Sequence, residues 1–291
     1  MNFSLALLAV VFTVNLSSMA IDKVVYGEDN RLDQFEVTDQ NKLDLQRSTV
    51  AMIPKSKLKQ IGNSSNFLAQ DSKIELCEGE RFNKQVDVAD CSGFLVEKYG
   101  KQFIVTAGHC IQSKSVCNDN YWVFDYAKTS PNDDARTIKE ENIYSCRRVV
   151  AQRLGRMSGE DFAVIELDRK VEGRKPLDYR QSDDIRKGEE VFVIGHPSGL
   201  PSKVSGDAFV RDAENFYQFE TNLDTFSGNS GSAVFNEKTG LVEGILVNGD
   251  EDYRYNAKKH CYEVNRCNMG SCGGEGVFRI TRILMLRPSN D

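Results

Sequence analysis

Histidine is scarce in this chain: His109, His196 and His260 are the only three in 291 residues. A catalytic base of imidazole type has only those places to sit. No block of Lys and Arg interrupts the sequence, and the net charge is −6. That argues against nucleic-acid binding, which neutralises phosphates with clustered cations. Close Cys-x-x-Cys pairs, common in structural zinc sites, are missing, also in "HCYEVNRCNMGSC" from His260. Sustained helical periodicity is absent, which excludes a helix bundle. There is no internal repeat and no low-complexity tract. Beyond the first twenty residues no apolar run is long enough to span a bilayer.

Those twenty residues, "MNFSLALLAVVFTVNLSSMA", carry no charge. The apolar run from Leu5 to Val14 is short, and Ser18-Met19-Ala20 is a small-x-small cleavage pattern. Together they predict a signal peptide over residues 1–20, despite the missing early Lys or Arg. Secretion, to periplasm or medium, follows. The eight cysteines fit an oxidising compartment and predict disulfides, with pairings left open by spacing alone. With 40% hydrophobic and 27% charged residues, the composition is that of a globular protein.

From Gly93 onward the chain reads as short strands divided by Gly, Asn, Asp and Pro. "GFLVE" and "FIVTA" flank Tyr-Gly-Lys, a hairpin signal. "YWVFDY", "FAVIEL", "VFVIG", "FYQFE", "SAVF" and "LVEGILV" follow. This predicts an all-β barrel or sandwich. Short helices are expected only near Asp183–Lys187 and around Ile280–Leu286. Residues 21–75 are polar and interrupted, and read as an N-terminal extension, a propeptide or a segment wrapping the core. The main domain is then 76–291.

"DTFSGNSGSAVF" sets Ser230 among glycines. Such a stretch can be a plain turn, or a nucleophile with bare N–H groups around it. Three motifs decide between them. "TAGHC" carries His109, "DFAVIEL" begins at Asp161, and "GNSGSAV" carries Ser230. In this order they resemble the trypsin-like (chymotrypsin-fold) serine proteases, over roughly Cys77 to the C-terminus. The resemblance implies two six-stranded antiparallel β-barrels, with the short C-terminal helix. It implies His109 as base, Asp161 as its orienter and Ser230 as nucleophile. The N–H groups of Gly228 and Ser230 become the oxyanion donors, and Cys91 pairs with Cys110. No cofactor and no metal are implied, although the acidic "NGDEDY" stretch could bind surface Ca²⁺ if it is more than a solvated loop. The expected product is a secreted, monomeric serine endopeptidase acting on proteins or peptides, with no nucleic-acid or membrane partner. A catalytically silent binding module on the same fold, or an esterase with the same triad, are the alternatives.

The sequence departs from trypsin at Asn229, where a charged Asp would pair with a freshly cut N-terminus. Gly-Asn-Ser-Gly-Ser is instead similar to bacterial enzymes, including the glutamyl endopeptidases, and "VYGEDNR" resembles the start of their mature chains. Asp224, six residues before Ser230, falls where trypsin keeps its pocket carboxylate. Asp224, Thr225 and Gly249 are therefore the expected substrate pocket, with a preference for Lys or Arg. Glutamyl specificity is disfavoured because Leu246 stands where those enzymes place a histidine.

Overall fold

The hairpin at Cys91–Lys98 (β2) and Lys101–Thr106 (β3) turns through Tyr99 and Gly100, both at positive φ (51° and 70°). That is the geometry a right-twisted hairpin requires of a two-residue loop. The computed structural model describes residues 24–71, 74–155, 158–269 and 272–288, so the predicted signal peptide lies outside the described residues.

Around this hairpin four further strands close the first barrel: Thr49–Pro54 (β1), Asn120–Val123 (β4), Ile143–Gly155 (β5) and Glu160–Leu167 (β6). Their order is β5-β6-β3-β2-β1-β4, with β4 pairing back to β5. The second barrel comprises Glu190–Gly195 (β7), Lys203–Asp212 (β8), Gln218–Thr221 (β9), Ala233–Asn236 (β10), Val242–Asn248 (β11) and Glu275–Arg279 (β12). It runs β7-β10-β11-β12-β9-β8 and closes through β7–β8. The two six-stranded antiparallel barrels expected from the resemblance are present. Closure leaves neither barrel a free edge, which antiparallel sheets otherwise must protect.

The strands are buried on the face that fills each barrel. Phe94, Ile104, Trp122 and Ile165 pack in the first, and Val193, Val210, Phe219 and Leu246 in the second. The Phe162 and Phe278 rings stack at 5.3 Å between centroids, joining β6 to β12 across the barrel boundary.

Two sequence expectations change. Of residues 21–75, for which the sequence left open an extension, a propeptide or a segment wrapping the core, Thr49–Pro54 is a barrel strand between β2 and β4. Leu32–Asp33 adds to β8, and Val25–Tyr26 pairs in parallel with Arg266–Cys267. The C-terminal helix is two 3-10 turns, Ile280–Arg282 and Leu284–Leu286, which bury Ile280, Ile283 and Leu286. The stretch Asp183–Lys187 is a bend with Asp183 at φ 56°, and the α-helices are instead Gln40–Gln46 and Lys114–Asp119.

The N-terminal segment is held down by buried charge. Lys203 Nζ meets Asp33 at 2.7 Å, with both side chains almost fully covered. Burial lowers the Lys203 ammonium to about 8 even against the pull of Asp33. Arg31 pairs with Asp29 at 2.6 Å under the same cover. Four disulfides, Cys77–Cys261, Cys91–Cys110, Cys117–Cys146 and Cys267–Cys272, use all eight cysteines.

Candidate active site

Strand β3 ends at Thr106, and a 3-10 turn over Gly108–Cys110 carries His109 off the barrel. The Cys91–Cys110 bridge ties that turn to the start of β2. Asp161, near the start of β6, holds His109 at two points. Its Oδ1 accepts the His109 backbone N–H at 2.9 Å, and its Oδ2 meets Nδ1 at 2.7 Å. The second contact puts a proton on Nδ1 and leaves Nε2 as the lone-pair nitrogen of the neutral ring.

Ser230 sits in the loop before β10, against the first barrel. The Ser92 N–H donates to the Ser230 carbonyl at 2.8 Å, and Cys110 Sγ touches the same carbonyl at 3.7 Å. The residue after His109 and the backbone of Ser230 therefore meet. Gly228 and Gly231 both lie at φ 91°. A Cβ on Gly228 would fall 2.5 Å from the His196 carbonyl, and one on Gly231 would collide with the Ser92 carbonyl and the Thr106 hydroxyl. Glycine is required at both by conformation and by space.

The peptide planes of this loop are pinned from behind. Ser198 N–H donates to the Ser227 carbonyl at 2.5 Å, and Ser232 N–H to the Asn229 carbonyl at 2.8 Å. In a trans peptide the N–H points opposite to the C=O. The N–H groups of Gly228 and Ser230 thus face away from these anchors, and neither meets an acceptor among the described residues. Asn229, where trypsin has an Asp, is buried, and its Oδ1 accepts the Ser232 hydroxyl at 3.2 Å. It is neutral and satisfied locally, so it asks for no ammonium partner.

Ser92 is a site residue that sequence reasoning missed. Its hydroxyl donates to the Gly228 carbonyl at 2.7 Å and accepts the His196 N–H at 3.0 Å. Its own carbonyl accepts from the Thr106 hydroxyl at 2.7 Å. The available signal was its place next to Cys91. His196 is buried beneath this network, stacked on Tyr126 and hydrogen-bonded through Nδ1 to the Leu200 carbonyl at 3.1 Å. Burial depresses its pKa to about 3, so it is a neutral packing group. His260 is exposed in the loop after Tyr253–Asn256.

Asp224 is bonded within the chain. Both of its oxygens are engaged by the chain's own N-terminal segment: Tyr26 N–H at 2.6 Å and Asn30 N–H at 3.0 Å. Burial raises its pKa to about 6 despite those two donors. It clamps a strap 194 to 198 residues away in sequence rather than offering a free carboxylate to a substrate. Thr225 and Gly249 do come together, around a carboxylate that was not foreseen. Thr225 Oγ1 donates to Glu275 Oε2, and a Cβ on Gly249 would strike the same carboxylate. The pattern "GGEGVF", a lone acid among glycines at the start of an apolar strand, was the readable trace of it. The acidic stretch from Asn248 is likewise part of the protein's own bonding: Asp250 accepts the Gly273 N–H and Asp252 accepts the Ser227 N–H at 2.8 Å. Cys261, Cys267 and Cys272 are all in disulfides and hold no thiolate for a metal.

Residues 91–245, more than half of the chain, match the family described as trypsin-like peptidase domain. The chain belongs to that family. It is 27% identical over 188 residues to a probable periplasmic serine endoprotease, DegP-like, of Buchnera aphidicola subsp. Baizongia pistaciae, covering 60% of this chain and 37% of that protein. A probable serine protease, do-like, of Buchnera aphidicola subsp. Acyrthosiphon pisum is 31% identical over 103 residues, 33% of this chain and 21% of the other. The chain thus spans between about a fifth and two fifths of these relatives' lengths. Among solved structures, a Glu endopeptidase in complex with MPD superposes with TM-score 0.50 at 16% identity, covering 89% of this chain and 94% of that one. Human heparin binding protein superposes with TM-score 0.51 at 12% identity, covering 86% and 91%. A fold shared by a peptidase and by a protein named for binding leaves activity to be argued from the site.

Proposed function

We propose that the protein is a secreted serine endopeptidase that cleaves peptide bonds through His109, Asp161 and Ser230. The observation that carries this is the doubly bonded His109–Asp161 pair beside a serine loop whose N–H groups are held outward. A serine hydroxyl is a weak nucleophile near neutral pH and needs a base. His109 Nε2 takes the Ser230 proton as Oγ attacks the scissile carbonyl. Asp161 keeps the ring in the tautomer that exposes Nε2 and stabilises the imidazolium that forms. The carbonyl oxygen becomes an oxyanion and is met by the N–H groups of Gly228 and Ser230. One such donor contributes about 3 kcal/mol to the transition state. His109 then returns the proton to the leaving amine, and water repeats the sequence on the acyl-enzyme.

Secretion is supported by the leader, the four disulfides and the periplasmic relative. The test is labelling by a fluorophosphonate, which reports an activated serine without a chosen substrate. The parent chain is expected to label. Ser230→Ala is expected to lose labelling and to lower peptide hydrolysis by about a millionfold. An unlabelled parent with native unfolding behaviour would favour a silent binding module. Labelling with hydrolysis of esters and no hydrolysis of peptides would favour an esterase.

A further inference from the structure

We propose that a basic cavity on the first barrel, remote from Ser230, docks an acidic and apolar stretch of the protein substrate. The inference rests on the endopeptidase reading above and adds a surface outside the site of His109, Asp161 and Ser230.

A cavity of about 320 Å³ opens between the start of β3, the Arg147–Arg148 stretch of β5 and residues 166–171. Five cations line it: Lys101, Arg147, Arg148, Arg169 and Lys170. Only two acids, Glu166 and Asp168, line it with them, a surplus of three positive charges. The chain as a whole stands at −6, so the surplus is local and not a consequence of composition. Glu166 is shared between Arg147 at 3.0 Å and Arg148 at 2.6 Å, whose side chains are 64% and 61% exposed. A guanidinium has five N–H donors, so one shared carboxylate leaves most of them to a ligand. Lys101 and Lys170 are exposed and make no ion pair among the described residues. The lining also has an apolar part, Leu95, Phe103, Leu167 and Val171, which belong to the barrel core. The walls are held in place. Gln102 Nε2 donates to the Val171 carbonyl at 3.1 Å, and its Oε1 accepts the Val171 N–H at 2.8 Å. Arg169 donates to the Ile143 carbonyl at 2.8 Å and lies over the Tyr144 ring at 3.9 Å. A preformed wall lowers the ordering cost of binding.

The register of β5 on β6 joins this cavity to the catalytic pair. Arg148 stands opposite Glu166, Arg153 opposite Phe162 and Leu154 opposite Asp161. From Glu166 to Asp161 is about 17 Å of strand. Arg153 is exposed along that path. The same end of β5 packs on the turn that bears His109. Gln152 Nε2 donates to the Gly108 carbonyl at 3.2 Å, and a Cβ on Gly108 would fall 2.1 Å from the Arg153 carbonyl. Positive charge thus runs from the cavity towards His109. A substrate held at Ser230 reaches the cavity with roughly five or six further extended residues. Acidic side chains of that stretch meet the cations, and its apolar ones meet the lining. A uniformly charged polysaccharide has no group for the lining, and the net negative charge of the rest of the molecule opposes its continuation past the patch.

The experiment has two readouts on the full-length chain, produced by export into an oxidising compartment. The first is binding, in a Ser230→Ala background, of a fluorescein-labelled peptide of about twelve residues that alternates Glu with Leu. Anisotropy is expected to show saturable binding that weakens about tenfold between roughly 50 and 300 mM salt. Lys101→Ser with Lys170→Ser, and separately Arg147→Gln with Arg148→Gln, are each expected to weaken it about tenfold. The lysine pair breaks no ion pair among the described residues, so it still decides if the arginine pair fails to fold. No binding to the parent, or unchanged binding in the folded lysine variant, overturns the proposal. Tighter binding of a sulfated oligosaccharide than of the peptide overturns the choice of occupant. The second readout is cleavage. Three peptides share one cleaved bond, and two of them carry the acidic stretch about six residues before or after it. One of those two is expected to show a KM about tenfold lower at equal kcat, and the lysine variant to erase the difference. Equal KM for all three overturns the proposal. Peptide binding to a chain whose parent fails to label with fluorophosphonate would defeat the peptidase reading alone, and labelling without peptide binding would defeat the docking site alone.

Discussion

At the scale of single residues, the three histidines have three different fates. His109 is held by a carboxylate at the edge of solvent, His260 is exposed, and His196 is sealed under the Ser230 loop. The last has a consequence for stability. Burial depresses the His196 pKa from 6.5 to about 3, so the unfolded chain binds its proton first as pH falls. The stabilisation is fully present above about 6.5 and is lost as pH falls through that window towards 3. Integrated, it is on the order of 5 kcal/mol. We expect urea-unfolding midpoints to fall steeply between pH 6.5 and 3, and His196→Asn to flatten that slope. Asp224 has the opposite sign, because burial raises its pKa to about 6. Its contribution is present below about 4 and is lost as pH rises through 6. The motifs around His109, Asp161 and Ser230 were legible because each is a local string of about six residues. The partners of Asp224 were not, because nothing near it in sequence announces Tyr26 or Asn30.

At the scale of elements, the Ser230 loop is shaped from outside itself. Ser198 sits at φ 53°, in the left-handed region unusual for a residue with a side chain, and its N–H fixes the Ser227 carbonyl. Ser92, on β2, fixes the carbonyls of Gly228 and Ser230. The strained turn sets the peptide plane that carries the Gly228 N–H, and the strand of the other barrel holds the carbonyls of Gly228 and Ser230 on either side of the Asn229–Ser230 peptide. Ser92→Ala removes one of those ties while touching no substrate. It should lower kcat about ten- to a hundredfold with KM within about twofold, read from steady-state cleavage of a fixed peptide. An equal change in KM would assign Ser92 to substrate binding instead. Strand legibility followed burial. "FAVIEL" and "VFVIG" are apolar runs and were readable. Strand β5 was not, because its thirteen residues include Arg147, Arg148 and Arg153 on an exposed face and two irregularities of register. The strap over residues 24–54 read as a polar extension, propeptide or wrapping segment, without strands, because most of its strands are two residues long. The terminal apolar run read as helix, yet its buried residues are served by two 3-10 turns.

At the scale of the whole molecule, one disulfide spans most of the chain. The Cys77–Cys261 bridge closes 184 residues and couples the segment before β2 to the loop before β12. In the loop-entropy picture a bridge of that length contributes about 5 kcal/mol, less where other bridges already restrict the unfolded chain. Replacing both cysteines by serine should lower the thermal midpoint by roughly 5–15 °C, with fluorophosphonate labelling retained at low temperature. Labelling lost together with a native midpoint would make the bridge a catalytic rather than a stabilising element. Strand spacing made a barrel or sandwich readable, and the two-barrel plan followed from the family resemblance of the three motifs. What joins the barrels was not, since it rests on pairings between ends of the chain.

The parallel pairing of Val25–Tyr26 with Arg266–Cys267 also orders events in time. During synthesis the first strand of the strap leaves the ribosome roughly 240 residues before its partner does. At about 5–20 residues per second, it waits on the order of ten to fifty seconds without a place to dock. Asp224 and Gly274, which bond Tyr26 and Asn30 of the strap, are themselves late arrivals. The strap can therefore be fixed only after nearly the whole chain has been made. Chains that stop short of Arg266 carry His109, Asp161 and Ser230 but leave the first strand of the strap without its partner.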